Sequence, residues 1–333
     1  MGPIDQGFVH EAAIYRTEDE FVAEVVPFLR DGLAAGAPTL LGVDADRQAL
    51  VRDALGGLDG VTLFGPGEHF AHPFAALRNN HELFSAHADA GTGRVRMIGE
   101  VPHPGVGAPW HGWAEYEAAS NELYTDFDAW TVCLYDARLA PDDVLADVER
   151  THGHLATPAG DHRANPGFQP PAEFLAGRPE DDDPLRDTPP HVALADPCPA
   201  DARHAVAALA ARGAALDPTA VGRLVLAVSE AVTNAVHHGG PHHELKAWAA
   251  PDRVLVTVRD EGGGPDDPFA GFLPSPPDTV GGLGLWTMRL AVDRVALSTG
   301  PDGFTVLLRA GGEPDPAATG TGTERAPAVG PEG

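Results

Sequence analysis

The chain has 333 residues and carries 49 acidic against 22 basic side chains, which gives a formal net charge of −27 at pH 7. This length allows two domains with separate cores, and such a negative charge repels nucleic acid and anionic lipid, so we expect no direct nucleic-acid binding and no membrane association. Two cysteines, Cys133 and Cys198, lie far apart, and neither a signal peptide nor an apolar run approaching a membrane span is evident, so we expect a cytoplasmic protein without a disulfide framework.

Strand and helix signals alternate through the first part of the chain. A capping box at Thr17-Glu-Asp-Glu20 predicts the start of a helix that ends near Gly36. Regular alternation of this kind indicates an α/β domain with a mostly parallel sheet covered on both faces, which we place at residues 8–157. The predicted strands are 12–15, 39–43, 61–64, 95–98 and 130–135, and the other predicted helices cover 74–90, 113–127 and 141–152.

Residues 158–190 interrupt this pattern with proline, glycine and an acidic run, and are predicted to form a linker. A second domain follows over residues 191–310, with helices layered on a sheet. The tail 311–333 is rich in proline, glycine and threonine, which predicts disorder. The predicted strands of the second domain lie near 192 and at 245–249, 254–259, 295–298 and 304–309. Two of its predicted helices cover 200–212 and 219–238, and a third begins after Gly284.

Two motifs of the second domain place acidic and amide side chains at useful positions. Glu230-Ala-Val-Thr-Asn234 sets a carboxylate and a carboxamide four residues apart, so both lie on one face of a helix about one turn apart. Asp260-Glu-Gly-Gly-Gly264 follows a predicted strand, so the aspartate emerges where the strand ends and a flexible turn begins.

A third motif, Gly281-Gly-Leu-Gly-Leu285, enters a predicted helix through glycines. The free N–H groups and the positive dipole end of such a helix favour phosphate. The intervening segment 265–280 is rich in proline and small residues, and we expect it to act as a mobile nucleotide lid. The order and spacing of the three motifs predict an ATP site.

The three motifs together resemble the GHKL superfamily of ATP-binding domains, and Ser229–Gly239 is most similar to the anti-sigma-factor serine kinases. The resemblance implies a two-layer α/β sandwich, the Bergerat or GHKL ATP-binding fold, with ATP and Mg²⁺ as cofactors. It also implies that Asn234 ligates Mg²⁺, that Glu230 is the general base and that Asp260 accepts the adenine amino proton. The other implied nucleotide-binding residues are Gly262, Gly264, Gly282, Gly284, Leu285 and Thr305.

A second resemblance rests on four stretches of the N-terminal domain: His10-Glu-Ala-Ala-Ile-Tyr15, Pro27–Gly36, Tyr116-Glu-Ala-Ala-Ser-Asn121 and Cys133-Leu-Tyr-Asp136. They are similar to the MEDS sensory domain. That resemblance implies a RecA-like three-layer parallel-sheet fold that senses an unknown small ligand or docks a protein. Because the chain has no Gly-x-x-x-x-Gly-Lys-Ser/Thr motif, we expect no ATP hydrolysis by this domain.

Several other residues have plainer interpretations. His10 is predicted to be an ordinary, partly buried histidine rather than a pocket residue, and Cys133 an inert core residue. The aromatic residues are predicted to pack in the core rather than form a ligand cage, and the late histidines to cap a solvated helix end rather than bind metal. These two groups are Trp110, Trp113, Tyr116 and Trp130, and His237, His238, His242 and His243.

The two resemblances together imply an anti-sigma regulatory factor in which the sensory domain controls an ATP-dependent serine/threonine protein kinase. The substrate would be a serine or threonine of an anti-sigma-factor antagonist, with a sigma factor as the other partner. Two alternatives stay open: an orphan sensor histidine kinase, for which no phosphoacceptor histidine is recognisable, and a non-catalytic module that sequesters its partner when nucleotide binds. A homodimer is also left open.

Overall fold

The computed structural model describes residues 7–157, 162–178, 183–275 and 282–312. Nearly all of the predicted disordered tail lies beyond residue 312, outside the described residues. Residues 276–281, which form the end of the predicted lid and the start of the third glycine motif, also lie outside the described residues.

Contacts divide the chain into two compact units. The first unit consists of Met1–Arg178 together with Asp267–Trp286, and the second of Pro179–Asp266 together with Thr287–Gly333. A segment that the sequence assigned to the C-terminal domain therefore groups with the first unit. In that unit Phe272 is buried, with its ring centroid 5.4 Å from that of Phe74.

Strands and helices alternate through the first unit, as predicted. The sequence analysis did not predict the helix between the second and third strands, nor the short elements after residue 153. In chain order the elements are β1 (Val9–Tyr15), α1 (Glu18–Ala34), β2 (Thr39–Gly42), α2 (Ala45–Leu55), β3 (Val61–Leu63), α3 (Pro66–His69), α4 (Pro73–Ala90), β4 (Val95–Glu100), α5 (Trp110–Leu123), β5 (Ala129–Asp136), α6 (Asp142–Thr151), β6 (His154–Ala156), β7 (His162–Ala164) and α7 (Pro171–Ala176).

The described strands of the first unit form one sheet in the order β3-β2-β4-β5-β1-β6-β7. Its pairs are parallel except β6–β7, which is antiparallel. The central strands are buried almost throughout, which agrees with a parallel sheet covered by helices on both faces. The predicted α/β fold with a mostly parallel sheet is therefore confirmed.

Local sequence signals explain where α1 starts and how it packs. The Thr17 hydroxyl accepts a hydrogen bond from the Glu20 amide at 3.1 Å, and the Glu20 carboxylate accepts one from the Arg16 amide. The apolar side of α1 then joins the core on one side of the sheet. Core residues on this side include Tyr15, Phe21, Val25, Leu29, Leu41, Ile98, Val132 and Leu134.

One carboxyl group of α1 is buried without a compensating partner. Glu24 is buried, and its Oε1 has no hydrogen-bond partner among the described residues. Burial, reinforced by the nearby charge of Glu11 and more weakly by Glu20, raises the pKa of Glu24 to about 7, although His162 opposes the shift. The folded protein therefore binds this proton more tightly than the unfolded chain does.

We expect Glu24→Gln to stabilise the protein at about pH 8 by roughly 1–2 kcal/mol, after allowance for solvent screening. A raised folded-state pKa means that ionising Glu24 costs stability as the pH rises from about 4.5 to 7, and an amide removes that cost. Thermal unfolding at pH 8 and pH 4.5 measures this, and the gain should vanish at the lower pH. Glu82→Gln, at an exposed glutamate of α4, is the matched control. An equal shift at both pH values would contradict the prediction.

The stretch predicted as a linker, 158–190, differs from that prediction where the structure describes it. It contains β7, α7 and a 3-10 turn at Pro184–Asp187. Phe174 of α7 is buried beneath the guanidinium group of Arg150 at 5.2 Å. Asp183, from the acidic run, is also buried and accepts two hydrogen bonds from Arg253, at 2.8 and 3.0 Å. A buried aromatic ring and a bidentate ion pair made by a buried aspartate anchor this stretch.

The second unit follows the predicted element order. The described strands form one antiparallel sheet in the order β11-β12-β10-β9-β8, and α8 and α9 pack against it. The predicted two-layer α/β sandwich is consistent with this arrangement. The elements are β8 (Val192–Ala195), α8 (Pro199–Gly213), α9 (Pro218–His238), β9 (His243–Ala250), β10 (Arg253–Asp260), α10 (Leu283–Ala291), of which the residues from Thr287 onwards belong to this unit, β11 (Arg294–Gly300) and β12 (Gly303–Gly311).

One described helix, α9, has the length and apolar composition that could cross a membrane. The sequence analysis expected no apolar run of that length. The buried side chains of α9 include Leu224, Val228 and Val232, and the helix contacts β10 and β12. A core helix passes the same test of length and composition, and α9 packs part of its apolar residues on the sheet, while Leu226 and Val236 are exposed.

Candidate functional site

The first site motif lies on α9. The Asp217 carboxylate caps this helix by accepting hydrogen bonds from the amides of Thr219 and Ala220 at 2.7 and 3.0 Å. The apolar face of α9 packs on the sheet and leaves Glu230 and Asn234 half-buried beside it, four residues apart. Neither side chain makes a hydrogen bond within the described part of the chain. Two oxygen-bearing groups on one helix face are thus free to bind a ligand.

Asp260 lies at the end of β10 and packs closely against the end of α9. A Cβ atom built on Gly239 would lie 2.4 Å from the Asp260 Cβ, so this approach requires glycine. The Gly239 position also ends the Ser229–Gly239 motif. Asp260 is buried, and its Oδ1 accepts a hydrogen bond from the Gly262 amide at 2.8 Å. One carboxylate oxygen is therefore fixed by the turn, and Oδ2 remains for a ligand.

The glycine turn after Asp260 is closely packed. Gly264 has a φ of +75°, and a Cβ atom there would lie 2.5 Å from the ring of Phe304. Gly262 is also confined, though less tightly, because a Cβ atom would lie 2.9 Å from Asp260 Oδ1 and 3.1 Å from the His238 carbonyl oxygen. Small residues therefore let this turn lie directly against β12 and the end of α9.

The structure does not bring Thr305 to the Asp260 carboxylate. In the β10–β12 ladder Asp260 pairs with Phe304, and Arg259 pairs with Thr305. Paired residues share a face of the sheet and successive residues alternate, so Asp260 and Thr305 point to opposite faces. The expected adenine-side position of Thr305 is corrected on this ground, and Phe304 is the β12 residue beside Asp260.

The phosphate motif belongs to the first unit, while Glu230, Asn234, Asp260, Gly262, Gly264 and Thr305 belong to the second. Gly282 has a φ of +86° and directly precedes α10, whose first residues include Gly284 and Leu285. The first amides of α10 have no carbonyl partner within the helix and are oriented to bind an anion.

An antiparallel sheet with a Glu/Asn helix and an aspartate at a strand end defines an ATP-binding domain, preceded by a parallel α/β domain. The family comparison names both. Residues 9–153 match the family described as "MEDS: MEthanogen/methylotroph, DcmR Sensory domain", and residues 193–310 match "Histidine kinase-like ATPase domain". The chain therefore joins an N-terminal MEDS domain to a C-terminal histidine-kinase-like ATPase domain, as the sequence predicted. No curated protein matches it.

Other expectations about polar and aromatic residues have mixed outcomes. Trp110, Trp113 and Tyr116 are buried core residues, as predicted, and Trp130 is half-buried. The late histidines belong to no group of three or more potential metal ligands among the described residues. His242 instead lies 3.2 Å from the carboxylate of Asp196.

The sequence analysis missed one cluster, in the core of the first unit. It contains His10 and Cys133, each interpreted as an unconnected core residue, together with Glu117 and His152. The four residues come from separate parts of the chain, and His10 and His152 are 142 positions apart. Their proximity depends on strand order, which residue spacing does not reveal. The only signal was that His10, Glu117 and Cys133 lie within three of the MEDS-like stretches.

Proposed function

We propose that this protein is an ATP-dependent serine/threonine protein kinase that acts in an anti-sigma partner-switching pathway under the control of its MEDS domain. A sensory domain joined to a kinase-like ATPase domain indicates a regulatory ATP-binding signalling protein. The observation that carries the kinase proposal is the pair Glu230 and Asn234. Both are half-buried on one face of α9 and have no hydrogen-bond partner among the described residues.

The residues of the second unit fit a magnesium nucleotide. The free Oδ2 of Asp260 would accept a hydrogen bond from the adenine amino group. The Asn234 amide oxygen is a hard ligand of the kind that Mg²⁺ prefers, and one such protein ligand suffices when phosphates and water complete the octahedron. The bound ion would neutralise charge on the phosphate oxygens.

Glu230 would supply the base for phosphoryl transfer. Its carboxylate would accept the proton of a serine or threonine hydroxyl while that oxygen bonds to the γ-phosphorus. The bond from the γ-phosphorus to the β–γ bridging oxygen breaks, and ADP leaves with the bonding electrons. The products are then a phosphorylated partner, ADP and a protonated Glu230.

The histidine-kinase alternative requires a phosphoacceptor histidine on a long helical hairpin ahead of the ATPase domain. In the described residues between 162 and 192, the helical elements are α7, with 6 residues, and the turn Pro184–Asp187, with 4. Neither can form such a hairpin. This observation favours transfer to a separate partner.

The proposed partner is an anti-sigma-factor antagonist that presents a serine or threonine, with a sigma factor as a second partner. A net charge of −27 supports a protein rather than a nucleic-acid partner. Cys133 and Cys198 are both free thiols, and Cys198 is exposed, which supports a reducing compartment such as the cytoplasm.

The test uses full-length protein, radiolabelled ATP and the proteins that copurify with it, followed by an acid wash. Acid-stable label on a serine or threonine of a partner is the expected result. Acid-labile label on this chain would instead indicate a histidine kinase. ATP-dependent complex formation without any transfer would show a sequestering module and overturn the kinase proposal.

A further inference from the structure

Four side chains able to bind a metal converge in the buried core of the first unit. His10 comes from β1, Glu117 from α5 and Cys133 from β5, and His152 directly follows α6. One ligand atom from each lies within 4.8 Å of the others, and all four residues are buried. Nε2 of His10 and Nε2 of His152 lie 2.9 and 3.3 Å from Glu117 Oε2. Cys133 Sγ lies 3.4 Å from His10 Nε2 and 3.5 Å from Glu117 Oε2.

Hydrogen bonds behind the two imidazoles determine which ring nitrogen carries the proton. His152 Nδ1 lies 2.9 Å from the Val148 carbonyl oxygen, which can only accept, so Nδ1 is the donor. His10 Nδ1 lies 3.2 Å from Asn121 Oδ1. The Asn121 amide group donates to three backbone carbonyls, which fixes its orientation and makes His10 Nδ1 a donor too. In the neutral rings, both Nε2 atoms therefore carry lone pairs.

These lone pairs point towards a carboxylate. Within the described chain, His152 Nε2 has no hydrogen-bond partner. Both imidazole nitrogens lie within 3.3 Å of the same carboxylate oxygen, Glu117 Oε2. Three electron-rich atoms around one buried point need a cation.

We propose that His10, Glu117, Cys133 and His152 bind one divalent transition-metal ion, with Zn²⁺ as the best match. Imidazole, thiolate and carboxylate are ligands of zinc, and tetrahedral bonds of about 2.0–2.3 Å place ligand atoms roughly 3.3–3.7 Å apart. Three of the four separations given above fall in that range. Binding releases the Cys133 thiol proton, so one thiolate and one carboxylate neutralise the ion. A neutral complex suits a buried site.

The surroundings already hold the ligands in place. The Tyr135 hydroxyl donates to Glu117 Oε1 and leaves Oε2 facing the two imidazoles. Asn121 and the Val148 carbonyl orient the two rings in the same way. Such outer partners are what metal sites use to fix the tautomer and orientation of their ligands. His10 and Cys133 also line a small cavity of about 10 Å³ beside the cluster.

The experiment measures metal in the full-length protein, purified without chelator from zinc-supplemented medium and dialysed. We expect about one zinc per chain by elemental mass spectrometry. Cys133→Ser should abolish stoichiometric zinc, whereas Cys198→Ser, at the exposed free cysteine, should retain it. Tyr135→Phe should weaken Zn²⁺ binding about 10- to 100-fold, because it removes only the outer hydrogen bond. Cobalt substitution should produce a thiolate charge-transfer band that depends on Cys133 and not on Cys198.

A second measurement covers the case in which the Cys133 variant fails to fold. Zn²⁺ added to chelator-treated wild type should raise the midpoint of thermal unfolding, and a strong chelator should reverse that rise. The proposal is overturned if wild type carries no stoichiometric metal and its unfolding is indifferent to zinc. Equal zinc in folded Cys133→Ser and Cys198→Ser would overturn it as well. Neither outcome bears on the kinase test, which concerns the other unit.

Discussion

Replacing Glu230 with glutamine is expected to leave ATP bound and to slow phosphoryl transfer by a factor of about 100 to 10,000. Glutamine preserves the shape of the side chain on α9 but cannot accept the hydroxyl proton. Because Glu230 makes no hydrogen bond within the described chain, its replacement should cost little stability. Transfer to the partner and ATP affinity are measured separately, with radiolabel and calorimetry. Glu244→Gln, at a glutamate of β9 paired with Lys246, is the control.

Replacing Asn234, one helical turn further along α9, should have a different effect from replacing Glu230. Asn234→Ala should weaken Mg²⁺-dependent nucleotide binding and transfer together, because the proposed ion links protein and phosphates. His237→Ala, at an exposed residue of the same helix, controls for effects on α9 itself. If Glu230→Gln transfers phosphate at the wild-type rate while Asn234→Ala loses binding, ATP binding stands and the general-base assignment fails.

The sequence predicted the elements that have strong local signals. The capping box predicted the start of α1, and the alternation of apolar segments predicted the main strands of both sheets. Both signals depend only on residues close together in the chain. The helix α2 was missed although it has comparable signals. Asp44 caps its first turn by accepting from the Arg47 amide at 2.8 Å, and Gly56 ends it with a φ of 85°. Its weak apolar periodicity, with only Val51 buried, hid those signals.

Other features depend on contacts that local sequence cannot show. The acidic run ending at Asp183 has the composition of a solvated linker, but Arg253, seventy positions away, pairs with its last residue. Thr305 matched a family position, and only the ladder register shows that it faces away from Asp260. The glycine motif before α10 belongs by sequence to the ATPase domain, yet contacts group Gly282 with the first unit.

The buried cluster of His10, Glu117, Cys133 and His152 is the clearest case of contacts that local sequence cannot show. Spacing places His10 and Cys133 in two strands, but not in adjacent ones. The observed register sets Ala12 of β1 beside Cys133 of β5, two residues from His10, so the two side chains lie on the same side of the sheet. Glu117 and His152 then approach from the helical layer. A metal site can be recognised from sequence when its ligands are closely spaced along the chain, and the four residues of this cluster are not.

Asp260→Asn is expected to weaken ATP binding about 10- to 150-fold, because it removes one charge-assisted hydrogen bond worth roughly 1.5–3 kcal/mol. The substitution should preserve the local fold. Asparagine retains an oxygen that can accept from the Gly262 amide, as Asp260 Oδ1 does at 2.8 Å. What changes is the second oxygen, which becomes an amide donor facing the adenine amino group, itself a donor.

Asp302→Asn is the matched control, since Asp302 is an exposed aspartate in the turn between β11 and β12 of the same unit. Calorimetry with ATP should separate the two variants, and thermal unfolding without nucleotide should not. Binding of GTP provides a second comparison, because guanine carries a carbonyl oxygen at the position where adenine carries its amino group. The loss of affinity in Asp260→Asn should therefore be large for ATP and small or reversed for GTP. An Asp260→Asn protein that unfolds like wild type and binds ATP equally well would remove Asp260 from the adenine site.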